Sequence, residues 1–170
     1  VGPQDHLAER GIALRHHLPG VGCNLQDHYE VPVFATTRGA FGYYGQDRGW
    51  PMIKAGIEYL LFKTGPVTTT GVETCAFFDP LDFSATPTIQ MFCVPTVYLD
   101  RDVMGRDPGH GVTINSLLLR PKATGRVTLR DAHPASLPVI DTQIFGHPDD
   151  LARTLAGFNF ARGVMAASPI

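Results

Sequence analysis

Leu117-Leu118-Leu119-Arg120-Pro121-Lys122-Ala123-Thr124-Gly125-Arg126-Val127-Thr128-Leu129 reads as two strands joined across a basic turn that Pro121 and Gly125 bracket. Upstream, Val112, Ile114 and the three leucines supply an apolar strand. Downstream, Val127 and Leu129 alternate with Arg126, Thr128 and Arg130 in the two-residue period of a half-buried strand. The pattern predicts a hairpin with one face to the core and the other to water.

Around this stretch the chain has 170 residues, 44% hydrophobic and 18% charged, enough for one sizeable core. Net charge is -2, so nothing overall draws it to nucleic acid or to an anionic membrane, which clustered Lys and Arg would do. Nucleic acid is therefore not an expected partner. No apolar run reaches the ~20 residues that span a bilayer, so no membrane span is expected. Cys23, Cys75 and Cys93 form no Cys-x-x-Cys pair, which argues against a zinc ribbon and a disulfide framework and favours a reducing compartment, the cytoplasm. The chain opens at Val1 and stops at Ile170 just after an alanine-rich helix, and the expectation is a piece of something longer.

In chain order, Pro3 to Gly11 has proline at the start and glycine at the end of a short helix, and Ile12 to His17 reads as extended. Leu18 to His28 places Gly20 and Gly22 beside Asn24, Gln26, Asp27 and His28, a loop rich in local hydrogen-bonding groups. Leu25 stands where a dinucleotide loop has its third glycine, and no apolar strand leads in, so the phosphate-binding fingerprint fails. Residues 38–49 form a loop rich in glycine and aromatics. Trp50 to Lys63 carries Ile53, Ile57, Leu60 and Leu61 at helical spacing, with Lys54 and Glu58 as an i, i+4 pair.

From Val72 onward strand periodicity puts Glu73, Cys75 and Phe77 on one face. If that face is buried, Glu73 must be neutral or partnered; the alternative is an exposed carboxylate. Residues 88–95 read as a central strand. Cys75 and Cys93 have no paired base and are expected to be buried structural cysteines. Residues 100–110 read as a charged surface loop. Pro148, Asp149 and Asp150 begin a helix with Leu151, Leu155, Phe158 and Met165 on one side.

Several of these stretches resemble one family, the glucose-methanol-choline (GMC) oxidoreductases, flavoenzymes that oxidise alcohols. Residues 117–145 are similar to the segment opening the last part of those enzymes. Leu18-Pro19-Gly20-Val21-Gly22-Cys23-Asn24-Leu25-Gln26-Asp27-His28 resembles their LPGVG-NLQDH motif almost residue for residue. Residues 1–14, 65–77, 88–95 and 148–163 follow further family segments in the family's order.

The resemblance implies a substrate-binding domain over residues 1–170, truncated at both ends. The FAD-binding fold and the segment bearing the catalytic histidine lie outside it. Hydride would pass from the alcohol to FAD only in the full-length enzyme. FAD is not expected on this chain alone, which is expected to be inactive, and no histidine here is assigned as the base. Asn24, Leu25, Gln26, Asp27 and His28 are implied to form a flavin-side loop. Glu73 and Phe92 are implied to face the substrate, a small alcohol; the partner would be the missing FAD-binding domain. Where many relatives carry histidine this chain has Phe92, which makes the surface more apolar and favours an uncharged or aromatic alcohol over choline.

The expected architecture is α+β, an antiparallel or mixed sheet of about five or six strands with helices packed on one side. Two other readings compete: a stand-alone binding module for a small ligand, and a zinc hydrolase using His16, His17, Cys23 and His28, whose loose spacing argues against a metal site.

Overall fold

The computed structural model describes residues 1–98 and 109–167. Most of the charged loop expected at 100–110 falls outside them. The chain divides into two compact units, Val1–His28 with Arg120–Ala152 and Tyr29–Leu119 with Arg153–Ile170, each described by itself. The class is α+β and every strand pair within the sheets is antiparallel. Seven strands among the described residues are shared between a sheet of three and a sheet of four.

In the first unit, helix α1 (Gln4–Glu9) follows Pro3 and buries Leu7. The expected extended segment after it is reduced to one isolated bridge, Gly2 to His17. The sheet has order β1-β6-β7, with β1 at Cys23–Leu25, β6 at Gly125–Thr128 and β7 at Val139–Asp141. Gly22, at φ +78°, lets β1 run so close to β6 that a Cβ there would collide with the Val127 carbonyl oxygen. The Val127 N–H donates to Gly22 O at 2.7 Å across this approach.

The second unit holds the sheet β2-β5-β4-β3, formed by Glu30–Thr36, Gly111–Leu118, Ile89–Val94 and Thr74–Phe78. Helix α2 (Gly49–Phe62) lies between β2 and β3 in sequence, and α3 (Pro148–Ala166) ends the described chain. Strand β5 is buried almost throughout because β2 and β4 flank it. Met91, Ile114 and Ala161 form the core cluster, joined by Val33, Phe78, Cys93, Val164 and Met165, so α3 covers one side of this sheet.

Three expectations are corrected here. The strands of residues 117–129 exist but do not pair as a hairpin: β5 joins the four-stranded sheet and β6 the three-stranded one. Pro121 has no N–H to give, and the next two, of Lys122 and Ala123, are taken by the buried Asp150 carboxylate at 2.8 and 2.9 Å. The turn is thus tied to the start of α3, where Lys122 and Asp149 also form an ion pair.

Helix α3 turns a different stripe inward from the one expected. Leu151 and Leu155 are exposed, while Thr154, Gly157 and Ala161 are buried. A Cβ at Gly157 would crowd Ser116 Oγ, so small residues on this face let the helix sit close to the strand.

Helix α2 leaves Ile53, Ile57, Leu60 and Leu61 exposed, with Ala55 its buried residue, because nothing in the described chain covers that stripe. Lys54 and Glu58 make no ion pair; Glu58 instead accepts from the Thr64 hydroxyl at 3.2 Å. Lys63, left-handed at φ 55°, caps the helix.

Candidate functional site

Strand alternation and register assign Phe92, Gln90, Cys75 and Phe77 to the face of the four-stranded sheet turned away from α3. One cross-strand row reads Cys75, Phe92, Asn115, Pro32; the next reads Phe77, Gln90, Leu117, Glu30. Phe77 is 56% and Phe34 48% exposed, and Phe92 is half-buried. Gln90 donates to Cys75 Sγ at 3.5 Å. Asn115 is buried with neither amide nitrogen nor oxygen hydrogen-bonded, an uncommon state for a carboxamide.

Glu73 precedes β3 and extends its ladder, its N–H donating to Cys93 O at 3.1 Å. By the same alternation it shares the face of Cys75 and Phe77, as the sequence indicates, but that face is solvated here along the edge strand. The carboxylate is exposed and ionised. Tyr43 donates its hydroxyl to Glu73 Oε1, and Thr69 donates to the same oxygen at 2.8 Å. The Tyr43 hydrogen bond, then that of Thr69, holds the carboxyl below its usual range. In return, accepting at Glu73 raises the Tyr43 phenol.

Tyr43 is itself fixed: its N–H donates to Pro95 O at 2.9 Å, and Gln46 Nε2 donates to Gly42 O at 2.9 Å. A cleft of about 300 Å³ lies against Tyr43, Asp47, Met52, Pro66 and Thr69. Sequence reasoning missed Tyr43, Thr69 and Asn115. The only signal for Tyr43 was the aromatic character of its loop.

Cys75 is exposed, contrary to the buried structural role expected of it, because the face it occupies is uncovered. Cys93 is half-buried, and burial raises its thiol pKa. All three cysteines are free.

The loop Asn24 to His28 belongs to the other unit. Asn24 is left-handed at φ 59°, Gln26 Nε2 donates to Pro121 O at 2.6 Å, and Asp27 Oδ1 accepts the His28 N–H at 2.8 Å. Leu25 pairs with Gly125. Asn24 also lines a cleft of about 520 Å³ with Pro3, His6, Glu9, Cys23 and Arg126. The loop glycine Gly22 is spent on strand contact with Val127, so the described residues do not build a dinucleotide cradle. Among the described residues no group of three or more His, Cys, Asp or Glu side chains gathers as metal ligands. His17 Nδ1 accepts from Gln4 N at 3.2 Å, and Cys23 Sγ lies 3.6 Å from Pro19 O.

The fold and these motifs are similar to those of the carboxy-terminal part of GMC oxidoreductases, and residues 121–169 match the model of that family. Among individual proteins the chain is 37% identical over 152 residues to an oxygen-dependent choline dehydrogenase of Brucella canis, covering 89% of this chain and 28% of that protein. It is 31% identical to an alcohol dehydrogenase [acceptor] of Pseudomonas putida, covering 98% and 30%. The fold matches that of a formate oxidase from Aspergillus oryzae, solved in a study of its FAD modification, with TM-score 0.76 and 22% identity over 96% of this chain and 33% of that one. The chain therefore spans under a third of the length of these two curated relatives.

Proposed function

We propose that this chain is the substrate-binding domain of an FAD-dependent alcohol dehydrogenase or oxidase, which takes its flavin and its catalytic base from other segments. The reading rests on one observation: on the sheet face turned away from α3, Phe77 and Phe34 of the edge strands stay about half exposed and Phe92 half-buried, although Thr113, Asn115 and Leu117 of the central strand are buried between them. Its partner is then the FAD-binding domain, with a small alcohol held between that domain and the Phe92 face. Phe92 contacts the alcohol, and Glu73 holds the pocket wall by fixing Tyr43 and Thr69. A carboxylate oxygen already accepting two hydroxyls is less free to meet a cation, so an uncharged or aromatic alcohol suits the surface better than choline. Asn24 to His28 form the flavin-side loop.

The contribution of such a wall is proximity and selectivity, and the redox chemistry belongs to the flavin. The chain alone is expected to be colourless and to oxidise no alcohol. Tight flavin absorbance on it would overturn this division of labour. In the flavin-bearing enzyme, Phe92→Ala should raise KM for an apolar alcohol about tenfold, the size expected when one aromatic contact is lost, with flavin absorbance unchanged. Unaltered kinetics would remove Phe92 from the substrate wall.

A further inference from the structure

Helix α2 exposes Trp50, Ile53, Ile57, Leu60 and Leu61, with Trp50 and Leu60 each 70% and Leu61 68% accessible. At ~100° per residue these five positions form one continuous stripe. The opposite side carries the buried Ala55 and shares a cleft lining with Pro66 of the 3-10 turn Pro66–Thr68. The helix is thus seated at Ala55 and exposed around most of its circumference, with Met52, Tyr59 and Phe62 also open outside the stripe. A contiguous apolar surface of this kind marks an interaction site.

Charge decides the occupant. Arg48 stands at the N-terminal cap, Lys54 beside the stripe and Lys63 at the C-terminal cap. Arg48 lies over the Tyr44 ring at 5.6 Å and Lys63 over the Tyr59 ring at 4.7 Å, so both ends of the helix are cationic and aromatic together. Of the two nearby acids, Asp47 and Glu58, Glu58 already accepts from Thr64. Residues 38–63 carry Arg38, Arg48, Lys54 and Lys63 against those two acids, a positive segment in a chain of net charge -2.

A second copy fits poorly. A two-fold axis through antiparallel α2 helices would set Arg48 against the partner's Lys63, cation on cation. An anionic lipid surface meets both features, accepting the stripe among its acyl chains and the cations at its headgroups. Fourteen residues at ~1.5 Å rise give about 21 Å, short of the ~30 Å hydrocarbon core, so the helix lies along a bilayer and does not cross it.

We propose that α2 is a peripheral docking site for an anionic membrane surface, inserting Trp50, Ile53, Ile57, Leu60 and Leu61 in the interfacial plane.

Trp50 is the only tryptophan in the sequence and reports on this face directly. With vesicles of phosphatidylglycerol and phosphatidylcholine, its emission should shift to the blue and the chain should co-sediment; phosphatidylcholine alone should give little of either. Leu60→Glu should cut partitioning by about tenfold or more, the loss expected when one aliphatic side chain no longer inserts. Lys54→Glu, which leaves the stripe intact, should weaken binding to the anionic vesicles alone, as should high salt.

Unchanged Trp50 emission with anionic vesicles overturns the proposal. So does a blue shift that appears without lipid and grows with protein concentration, which assigns the face to a second copy. Loss of the response in a longer polypeptide carrying this chain also overturns it, because the face would then be covered from within.

Discussion

The two faces of the four-stranded sheet are woven from the same strands and meet opposite fates. Under α3, Ile89 is fully buried, Met91 and Ile114 nearly so, and Gly157 brings the helix close to Ser116. On the other side Thr113, Asn115 and Leu117 of the central strand are buried too, but toward the edges Phe77 and Phe34 remain about half exposed, and Cys75 and Glu73 meet solvent. Apolar area left in water forgoes roughly 25 cal/mol per Å². The difference teaches that α3 supplies the stability of this unit, while its open face keeps a surface ready for contact at the expense of that burial.

The sharpest test of the contrast compares one aliphatic with one aromatic truncation. Ile89→Ala, under α3, should cost about 4 kcal/mol in urea unfolding, whereas Phe77→Ala on the open face should stay within about 0.5 kcal/mol. Equal costs would erase the distinction between the faces.

Next in size is the buried ion pair of Asp79 with Arg153 of α3. Burial alone would raise the Asp79 pKa, but the Leu81 N–H, the Thr88 hydroxyl and Arg153 outweigh it, and the net shift is downward. Asp79 therefore adds stability that is complete above its unfolded pKa of about 3.9 and is lost as pH falls through the lower folded value. Asp79→Asn leaves Arg153 without its counter-ion and should cost about 3 kcal/mol at neutral pH. The variant should also lose part of the wild-type acid sensitivity, and a melt series from pH 7 to pH 2 would show whether the two curves converge.

The smallest expected effect lies on the open face. Tyr43→Phe removes the main donor to Glu73 without touching the packed side, so the unfolding midpoint should hold. The Glu73 titration followed by carboxyl NMR should move back up toward an ordinary glutamate. A midpoint that stays low would mean that Tyr43 does not hold this carboxylate.

Much of this was legible in residue order. Strand alternation placed Glu73, Cys75 and Phe77 together, and helical spacing found both ends of α2 within a residue and the start of α3. Pairing was not legible, because the residue that claims the turn N–H groups of Lys122 and Ala123 is Asp150, far along the chain. The inward stripe of α3 was hidden for another reason. Sequence patterns weigh large apolar side chains, but here Thr154, Gly157 and Ala161 go inward because their smallness permits close approach. Glu73 and Phe92 could be singled out by resemblance, whereas Tyr43 reaches Glu73 from a loop whose path no periodicity encodes.

The salt link between Asp79 and Arg153 joins residues 74 positions apart, and it sits in a unit assembled from two separated stretches of chain. On a ribosome adding ~5–20 residues per second, α3 emerges some seconds after β5. For that interval Ile89, Met91 and Ile114 have no lid, and the nascent sheet is a target for chaperones or for its own edges. Slowing translation between Leu119 and Pro148 would lengthen this exposure, so the yield of folded protein should be sensitive to codon choice in that span.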